Sequence, residues 1–588
     1  MHSLLTLKKY IIRYKYAFIF SACVVAVTSA MLLISPKILQ AVIDELKRAD
    51  SDPDFTVSPE RLLFFFLFLV GVGVGIGITG FTQRYTSIWV ANRIEFHLRA
   101  DFFLHLQKLS AAYYDNARTG DLMTRATNDL RNITGMLGYA VLYTVEAIVL
   151  LGCAIAIMLR IDAPLTGVAL LPYLMILVFM HVIRKRYYVH YTGIQEASSD
   201  MNTKIQENLS GVRVVKAYTL EASEAEHFQT LNRELVKQNY SLIRLNAING
   251  PLSWDLLPGI GIVVLLWMGG LHVIDEKITI GEFVAFIAYL GMLIRATRNL
   301  GYFVTTFQRS AASMDRINAV LNEKPEILDS EQVKRDIKNI EGEIEFRNLN
   351  FDYPDGTPVL RNINLKIERG MTLAIVGRTG SGKSTLVNLI PRIRQAARGT
   401  IFIDGTDIQD IPLNVLRSNI GFVEQEPYLF SDYLRYNITY GLETADDEEV
   451  RDAAHTADLL DQIEEFPDGL RTLLGERGIT LSGGQRQRTA LARAIIIKPK
   501  ILILDDAFAS VDTQTEDTIL SRLDEVMKGC TTILISHRVS TVKDADHIIV
   551  LDEGSIAETG THEQLLKQNG IYASIHETQL LQEELEEF

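Results

Sequence analysis

Residues 372–390 read TLAIVGRTGSGKSTLVNLI: an apolar run, a glycine-rich turn and then a helical pattern. Within it, GRTGSGKS at 377–384 fits GxxxxGK[ST] in the strand-to-helix setting where that pattern acquires meaning. Glycines let successive backbone N–H groups curl around phosphate oxygens, and the N-terminus of the following helix adds a favourable dipole. Lys383 is placed to contact the β- and γ-phosphates of a bound triphosphate, and Ser384 to ligate Mg2+. From about Glu343 onward, short β-rich runs alternate with helical ones, the pattern of an α/β nucleotide-binding domain.

Working outward, residues 501–512 read ILILDDAFASVD. Four apolar residues running into two carboxylates describe a central, buried, parallel strand that delivers Asp505 to the Mg2+ beside the glycine-rich turn. Asp506 follows, where a carboxylate can take a proton from an attacking water.

Between these elements stands LSGGQRQR at 481–488, which a phosphate-binding loop does not require. Here the sequence resembles the ABC transporter family over nearly its whole length. The resemblance is carried by GRTGSGKS, Gln425 in VEQEPYLF, LSGGQ at 481–485, ILILDD, SVD at 510–512 and His537 in LISHR, in the family's order. It implies ATP and Mg2+ as ligands. The ATP-binding set would be Tyr353, stacking on adenine, with Gly377, Arg378, Thr379, Gly380, Ser381, Gly382, Lys383, Ser384 and Thr385. Ser384, Gln425 and Asp505 would hold the metal, and Asp506, His537 and Gln425 would serve catalysis. The resemblance also implies that Leu481, Ser482, Gly483, Gly484, Gln485 and Asp512 act on ATP bound to a second subunit, and that TLLGERG at 472–478 faces the helical membrane part.

A chain of 588 residues exceeds what one core usually supports. With 48% hydrophobic and 22% charged residues, it reads as one oily part joined to one water-soluble part. A net charge of −14 argues against nucleic acid as a partner. Cys23, Cys153 and Cys530 lie far apart without metal or redox spacing. Before residue 325, six stretches are apolar enough to span a bilayer: 16–43, 61–83, 134–159, 163–183, 252–274 and 279–302. The start, LLTLKKYIIRY, reads as an amphipathic elbow on the membrane rather than a cleaved leader. Lys and Arg crowd the N-terminus and the segments 84–132 and 184–250, which places both termini in the cytoplasm.

Those two basic segments keep helical spacing and hold few Gly or Pro, so each is expected to be a helical hairpin turning near 113–122 and 211–218. A leg of about 25 residues reaches roughly 35 Å at 1.5 Å per residue. GIGITG at 75–80 imitates a dinucleotide fingerprint, but inside a spanning helix its small residues are expected to serve close helix packing. The expected organisation is a six-helix exporter membrane domain at 1–325, a polar linker at 326–342 and a nucleotide-binding domain at 343–588.

Where the family usually has Glu, this chain has Asp506. A side chain one methylene shorter is expected to miss the attacking water, so this site should bind ATP well and hydrolyse it slowly. With LSGGQ intact, the chain resembles the degenerate-site subunit of a heterodimeric bacterial exporter whose partner carries Glu and an altered signature; a homodimer is the alternative. The expected activity is ATP-driven export of a small amphipathic or hydrophobic compound, drug or lipid, across the cytoplasmic membrane. The rivals are a lipid flippase and an ATP-gated channel or regulator on the same scaffold. Charged residues within the spans, Glu146, Asp255 and Arg295, are the candidates for a substrate cavity; Asp255 and Arg295 are expected at similar depth near the cytoplasmic side.

Overall fold

A computed structural model describes residues 2–51, 58–330, 332–475 and 478–586. The chain divides into two units: Met1–Phe103 with Met123–Leu321, and Leu104–Leu122 with Asn322–Phe588.

The first unit is helical. Among the described residues, five helices are long and apolar enough to cross a membrane: Lys15–Asp50, Pro59–Leu106, Thr119–Ile161, Ala163–Ser210 and Leu257–Ile274. The sixth expected span begins the helix Ile280–Leu321, with its apolar stretch at Ile280–Ile294. Pro59–Leu106 shows why these helices belong in hydrocarbon. Its second half buries Val90, Ala91, Ile94, Leu98 and Phe102, a stripe at helical spacing, while its first half exposes Leu63, Phe64, Phe66 and Phe68.

The N-terminal elbow is a short helix, Lys8–Arg13, that is tied down rather than floating. Leu7 and Tyr10 are buried, and the Tyr10 hydroxyl donates to Asp101 Oδ2 at 2.6 Å. Of the glycines at 75, 77 and 80, only Gly75 is closely approached: a Cβ there would meet Met31 Sδ at 2.9 Å, whereas Gly77 and Gly80 face open space. The small-residue packing expected from GIGITG is therefore confined to one position. A carboxylate–guanidinium lock joins two helical runs: buried Asp129 accepts from Arg316 Nε at 2.8 Å and from Ser313 Oγ at 2.9 Å.

Both hairpin turns fall where the spacing predicts. Pro59–Leu106 is followed by the short helices Ala111–Asn116 and Thr119–Thr124. Ala163–Ser210 stops at Gly211, and Val212–Ala217 precedes Glu221–Pro251.

In the second unit, a four-stranded antiparallel sheet (order β2-β1-β4-β5) holds β1 Ile344–Asp352, β2 Pro358–Ile367, β4 Ile401–Ile403 and β5 Thr406–Asp407. A six-stranded sheet (order β10-β9-β3-β8-β7-β6) holds β3 Thr372–Gly377, β6 Ile420–Val423, β7 Ile501–Asp505, β8 Thr531–Ile535, β9 His547–Asp552 and β10 Ser555–Gly560. β9, β3, β8, β7 and β6 run parallel, and β10 closes one edge antiparallel. β7 is buried throughout because both faces are covered. Leu502 and Leu504 enter one core with Ala374, Val376 and Leu534, while Ile501 and Ile503 enter the other with Leu373, Ile375 and Ile533.

The linker is not free chain. Ile327, Val333 and Ile340 are buried, and Asp329 Oδ1 accepts from Leu413 N at 2.9 Å.

Candidate nucleotide site

In an open parallel sheet, ligands bind beyond the carboxyl ends of the strands. Four adjacent strands end here on the residues singled out above. β3 runs into the glycine-rich turn, β8 into Ser536 and His537, β7 into Asp505 and Asp506, and β6 into Gln425. The register pairs Asp505 with Ile535, and the Asp506 N–H donates to the Ile535 carbonyl at 2.9 Å.

The turn is built to cradle an anion. Gly380 and Gly382 take φ of 84° and 99°, which side chains resist. A Cβ at Gly377 would lie 2.2 Å from the Leu551 carbonyl oxygen. Lys383 is buried and donates from Nζ to the Gly377 and Arg378 carbonyls at 2.9 and 3.0 Å, so the turn is organised around its ammonium. Burial pulls the Lys383 pKa down, opposed by the charges of Asp505 and Asp506. Inside the same turn the Ser381 hydroxyl is buried with no hydrogen-bond partner, which suits a phosphate oxygen. Arg378, Thr379 and the buried Thr385 complete the turn and the helix Lys383–Leu389.

Beside the turn, a cleft of about 520 Å³ is lined by Ser384, Gln425, Asp505, Gln487 and Ser510. Ser384, Gln425 and Asp505 form an all-oxygen donor set of the kind Mg2+ takes. Burial pushes the Asp505 carboxyl up; a hydrogen bond with Ser384 and the charges of Lys383 and His537 oppose this, while Asp506 adds to it. A divalent cation would relieve that buried negative charge, so the residues present fit the metal.

Asp506 takes a left-handed φ of 48°, a region that Asp enters more readily than most residues. Its Oδ2 accepts from Gln425 Nε2 at 3.4 Å, a long contact that brings two of the expected catalytic residues together. His537 is exposed beyond β8.

Tyr353 is held on several sides. Its hydroxyl lies 3.0 Å from Thr385 Oγ1, Phe351 meets it edge-on, and the Arg394 guanidinium stands 4.7 Å from its ring centroid. Arg394 in turn pairs with Asp115 of the first hairpin turn at 2.7 Å.

The signature segment opens a separate helix, and its Gly483 lines a cavity beside the Ser384–Asp505 cleft with Gln425, Gln487 and Ser510. Ser482 caps the helix Gly483–Ile496: its Oγ accepts from Gln485 N at 3.2 Å, and Gln485 Oε1 accepts from Ser482 N at 2.8 Å. Leu481 is buried. Gly483 and Gly484 lie against Ser510, where a Cβ would come within 3.2 and 3.0 Å. None of residues 481–485 is among the described residues lining the Ser384–Asp505 cleft. Asp512 caps the helix Thr513–Met527; the bond its carboxylate accepts from Thr515 N, at 2.9 Å, holds its pKa below the usual range.

Of the three membrane candidates, the structure describes the side chains of Asp255 and Glu146, which do not line one cleft. Asp255 sits on a π-turn, Leu252–Leu256, and lines an apolar cleft of about 760 Å³ with Ile248, Leu256, Ile260 and Val263. Glu146 is half-buried on Val141–Ile161 and does not line that cleft. The Arg295 side chain and Glu476–Arg477 of the 472–478 loop lie outside the described residues.

Several residues that serve the site carry no local pattern. Gln487 Oε1 accepts from Ser510 N at 2.8 Å, linking the signature helix to the SVD turn. Arg394 and Asp115 are 279 positions apart. Glu424 lines the cleft next to Gln425, and loss of water there raises its carboxyl pKa. An acid directly before Gln425 was the available signal for it.

Comparison with known proteins agrees with this geometry. Residues 17–297 match the family described as ABC transporter transmembrane region, and residues 360–509 the one described as ABC transporter. The chain is 34% identical over 576 residues to a probable multidrug resistance ABC transporter ATP-binding/permease protein, YheI, of Bacillus subtilis (98% of this chain, 96% of the relative). It is 37% identical over 499 residues to an ATP-dependent lipid A-core flippase of Syntrophus aciditrophicus (85% of this chain, 82% of the relative). A solved structure of a bacterial Atm1-family ABC exporter with ATP bound aligns with a TM-score of 0.79 at 28% identity, covering 96% of this chain and 98% of that one.

Proposed function

The chain belongs to the ABC transporter family, and we propose that it is one half of an exporter that uses ATP to move a small amphipathic or hydrophobic compound, of drug or lipid class, out across the cytoplasmic membrane. The family's members hydrolyse ATP and span the membrane as paired halves. In this reading the membrane domain is residues 1–325, the linker 326–342 and the nucleotide-binding domain 343–588, with both termini cytoplasmic.

The observation that carries the reading is the division of labour within one chain. Lys383, Asp505, Asp506, Gln425 and His537 gather at adjacent strand ends, while Ser482 caps a separate helix, Gly483–Ile496, and follows none of those strands. A second chain must supply a signature helix to cover the γ-phosphate, and this chain's own Leu481–Gln485 and Asp512 serve the partner's ATP. The Ser482 hydroxyl and the Gly483 and Gly484 N–H groups, at a helix N-terminus, suit an anion. Lys383 neutralises the β- and γ-phosphates, Tyr353 stacks the base, and Gln425 and Asp506 hold and deprotonate the attacking water, with His537 on the γ-phosphate. Ser384, Gln425 and Asp505 would hold Mg2+, which when bound would supply neutralisation of phosphate charge. ATP drives closure only because it binds the closed pair better than the open one.

The short side chain of Asp506, one methylene less than Glu, favours slow hydrolysis at this chain's own site, and so a heterodimer whose partner carries Glu and an altered signature. The apolar cleft around Asp255 supports an amphipathic substrate, with a carboxylate for a polar or cationic end. Relatives named for multidrug resistance and for lipid A-core flipping bracket the same chemistry.

Inverted vesicles carrying the assembled transporter test the function. A labelled amphiphile is expected to accumulate against its gradient with MgATP, and not with Lys383→Ala. Flux only down the gradient, opened by ATP without hydrolysis, replaces the pump with a channel. Purification of the chain as a homodimer with brisk hydrolysis removes the asymmetric-site proposal.

A further inference from the structure

Once the chain leaves β8 at Ile535, the peptide groups of Ser536-His537-Arg538 lose their ladder partners and need others. Arg538 is extended, with φ −97° and ψ 126°, so the His537 carbonyl and the Val539 N–H project to the same side, as in a strand. The last helix, Ile571–Glu586, supplies a partner for both. The Gln579 carboxamide donates from Nε2 to the His537 carbonyl, and its Oε1 accepts from Val539 N at 2.7 Å. One side chain thus makes the two bonds a neighbouring strand would make. Reversing the amide would set donor against donor and acceptor against acceptor, so the pair of bonds fixes its orientation.

The opposite flank of the loop is held as well. The Arg538 guanidinium donates to the Val511 carbonyl at 3.1 Å and to Glu516, which is 1% exposed and also accepts from the Thr541 hydroxyl. The loop is therefore gripped between the SVD turn and the last helix, while the imidazole of His537 stays exposed. A cavity of about 680 Å³, lined by Gly377, Arg378, Thr379, His537, Ile575 and Gln579, makes the last helix a wall of the space onto which both the phosphate-binding turn and the His537 loop open.

We propose that Gln579 is a positioning residue for ATP hydrolysis: its amide sets the backbone from which His537 reaches the γ-phosphate, so that the last helix governs turnover without touching nucleotide. This rests on the reading of His537 given above. The role requires both hydrogen bonds, which separates it from a role in merely seating the helix, where bulk and apolar contact suffice.

The experiment compares Gln579→Met, Gln579→Glu, His537→Ala and the double variant His537→Ala/Gln579→Met in the full-length assembled transporter, with kcat taken as turnover at this chain's own site, above the Lys383→Ala background. Met keeps length and loses both bonds; Glu keeps the acceptor for Val539 and sets an oxygen against the His537 carbonyl. Both are expected to lower kcat about tenfold, equal to about 1.4 kcal/mol. The ATP KM and the binding of a fluorescent ATP analogue should stay within about twofold of wild type, because Tyr353 and Lys383 are untouched. Adding Gln579→Met to His537→Ala should cost nothing further, since one acts through the other. Wild-type kcat in both single variants while His537→Ala is inactive overturns the proposal, as does an additive loss in the double variant. A fall in ATP binding and thermal midpoint with kcat preserved assigns Gln579 to structure alone and also overturns it. Unchanged turnover in His537→Ala sinks the underlying reading of that histidine, a result distinct from the others.

Discussion

Replacing Asp506 with Glu should raise ATP turnover at this chain's own site. The carboxylate now ends at Oδ2, 3.4 Å from Gln425 Nε2, outside good hydrogen-bond range. Glu at the same Cα carries its carboxylate about one C–C bond, roughly 1.5 Å, further into the cleft. A general base works within about 2.6–3.2 Å of its proton, so a step of that size separates a productive contact from a missed one. Misplacement on the order of 1 Å costs on the order of 10²-fold in rate, which is about 2.7 kcal/mol of barrier. Against this stands the left-handed backbone at Asp506, where Glu is less at ease, a cost in stability of about 1 kcal/mol at most. The assay is phosphate release at saturating MgATP by the purified full-length assembly in nanodiscs, with Lys383→Ala defining turnover from any other site. A rise between about tenfold and 10²-fold above that background is expected, with ATP affinity unchanged. Turnover that stays level or falls, with ATP still bound, refutes the argument from side-chain length. Asp506 would then be either already competent or not the base.

Three other outcomes follow from named contacts. Arg394→Ala removes the largely buried cation over Tyr353 and frees the ring; at about 1–2 kcal/mol for a cation–π contact that is partly desolvated, ATP binding should weaken about five- to thirtyfold by fluorescence titration, and Asp115→Asn should show part of that loss. Arg316→Ala leaves the Asp129 carboxylate buried without its guanidinium, so the assembly should lose roughly 3 kcal/mol of stability, read as a lowered thermal midpoint, while isosteric Asp129→Asn should lose less. The Asp512 carboxyl, lowered by the Thr515 N–H, contributes stability that is complete above the ordinary aspartate pKa of about 3.9 and is lost as pH falls through its lower folded value. Asp512→Ala should therefore lower stability near neutrality and flatten the acid limb of the stability–pH profile, with no difference from wild type at the lowest pH.

Much of the chain was decided by contiguous pattern. The glycine-rich turn between a strand and a helix, the apolar run into Asp505, the apolar spans and both hairpin turns depend on residues adjacent in sequence. Their physics is local: glycine φ, alternating burial, helical period and the length needed to cross hydrocarbon. Tertiary structure decided how those pieces meet. The Gln425–Asp506 contact spans 81 positions, Arg394 reaches Asp115 across 279, and Gln579 brackets His537 and Val539 from about 40 residues downstream. Likewise, Gly75 packs on Met31 while Gly77 and Gly80 do not, although all belong to one repeat of small residues. A side chain's partner across such separations depends on strand order and on which face each helix presents, and those exist only once the sheet has closed and its two cores have formed.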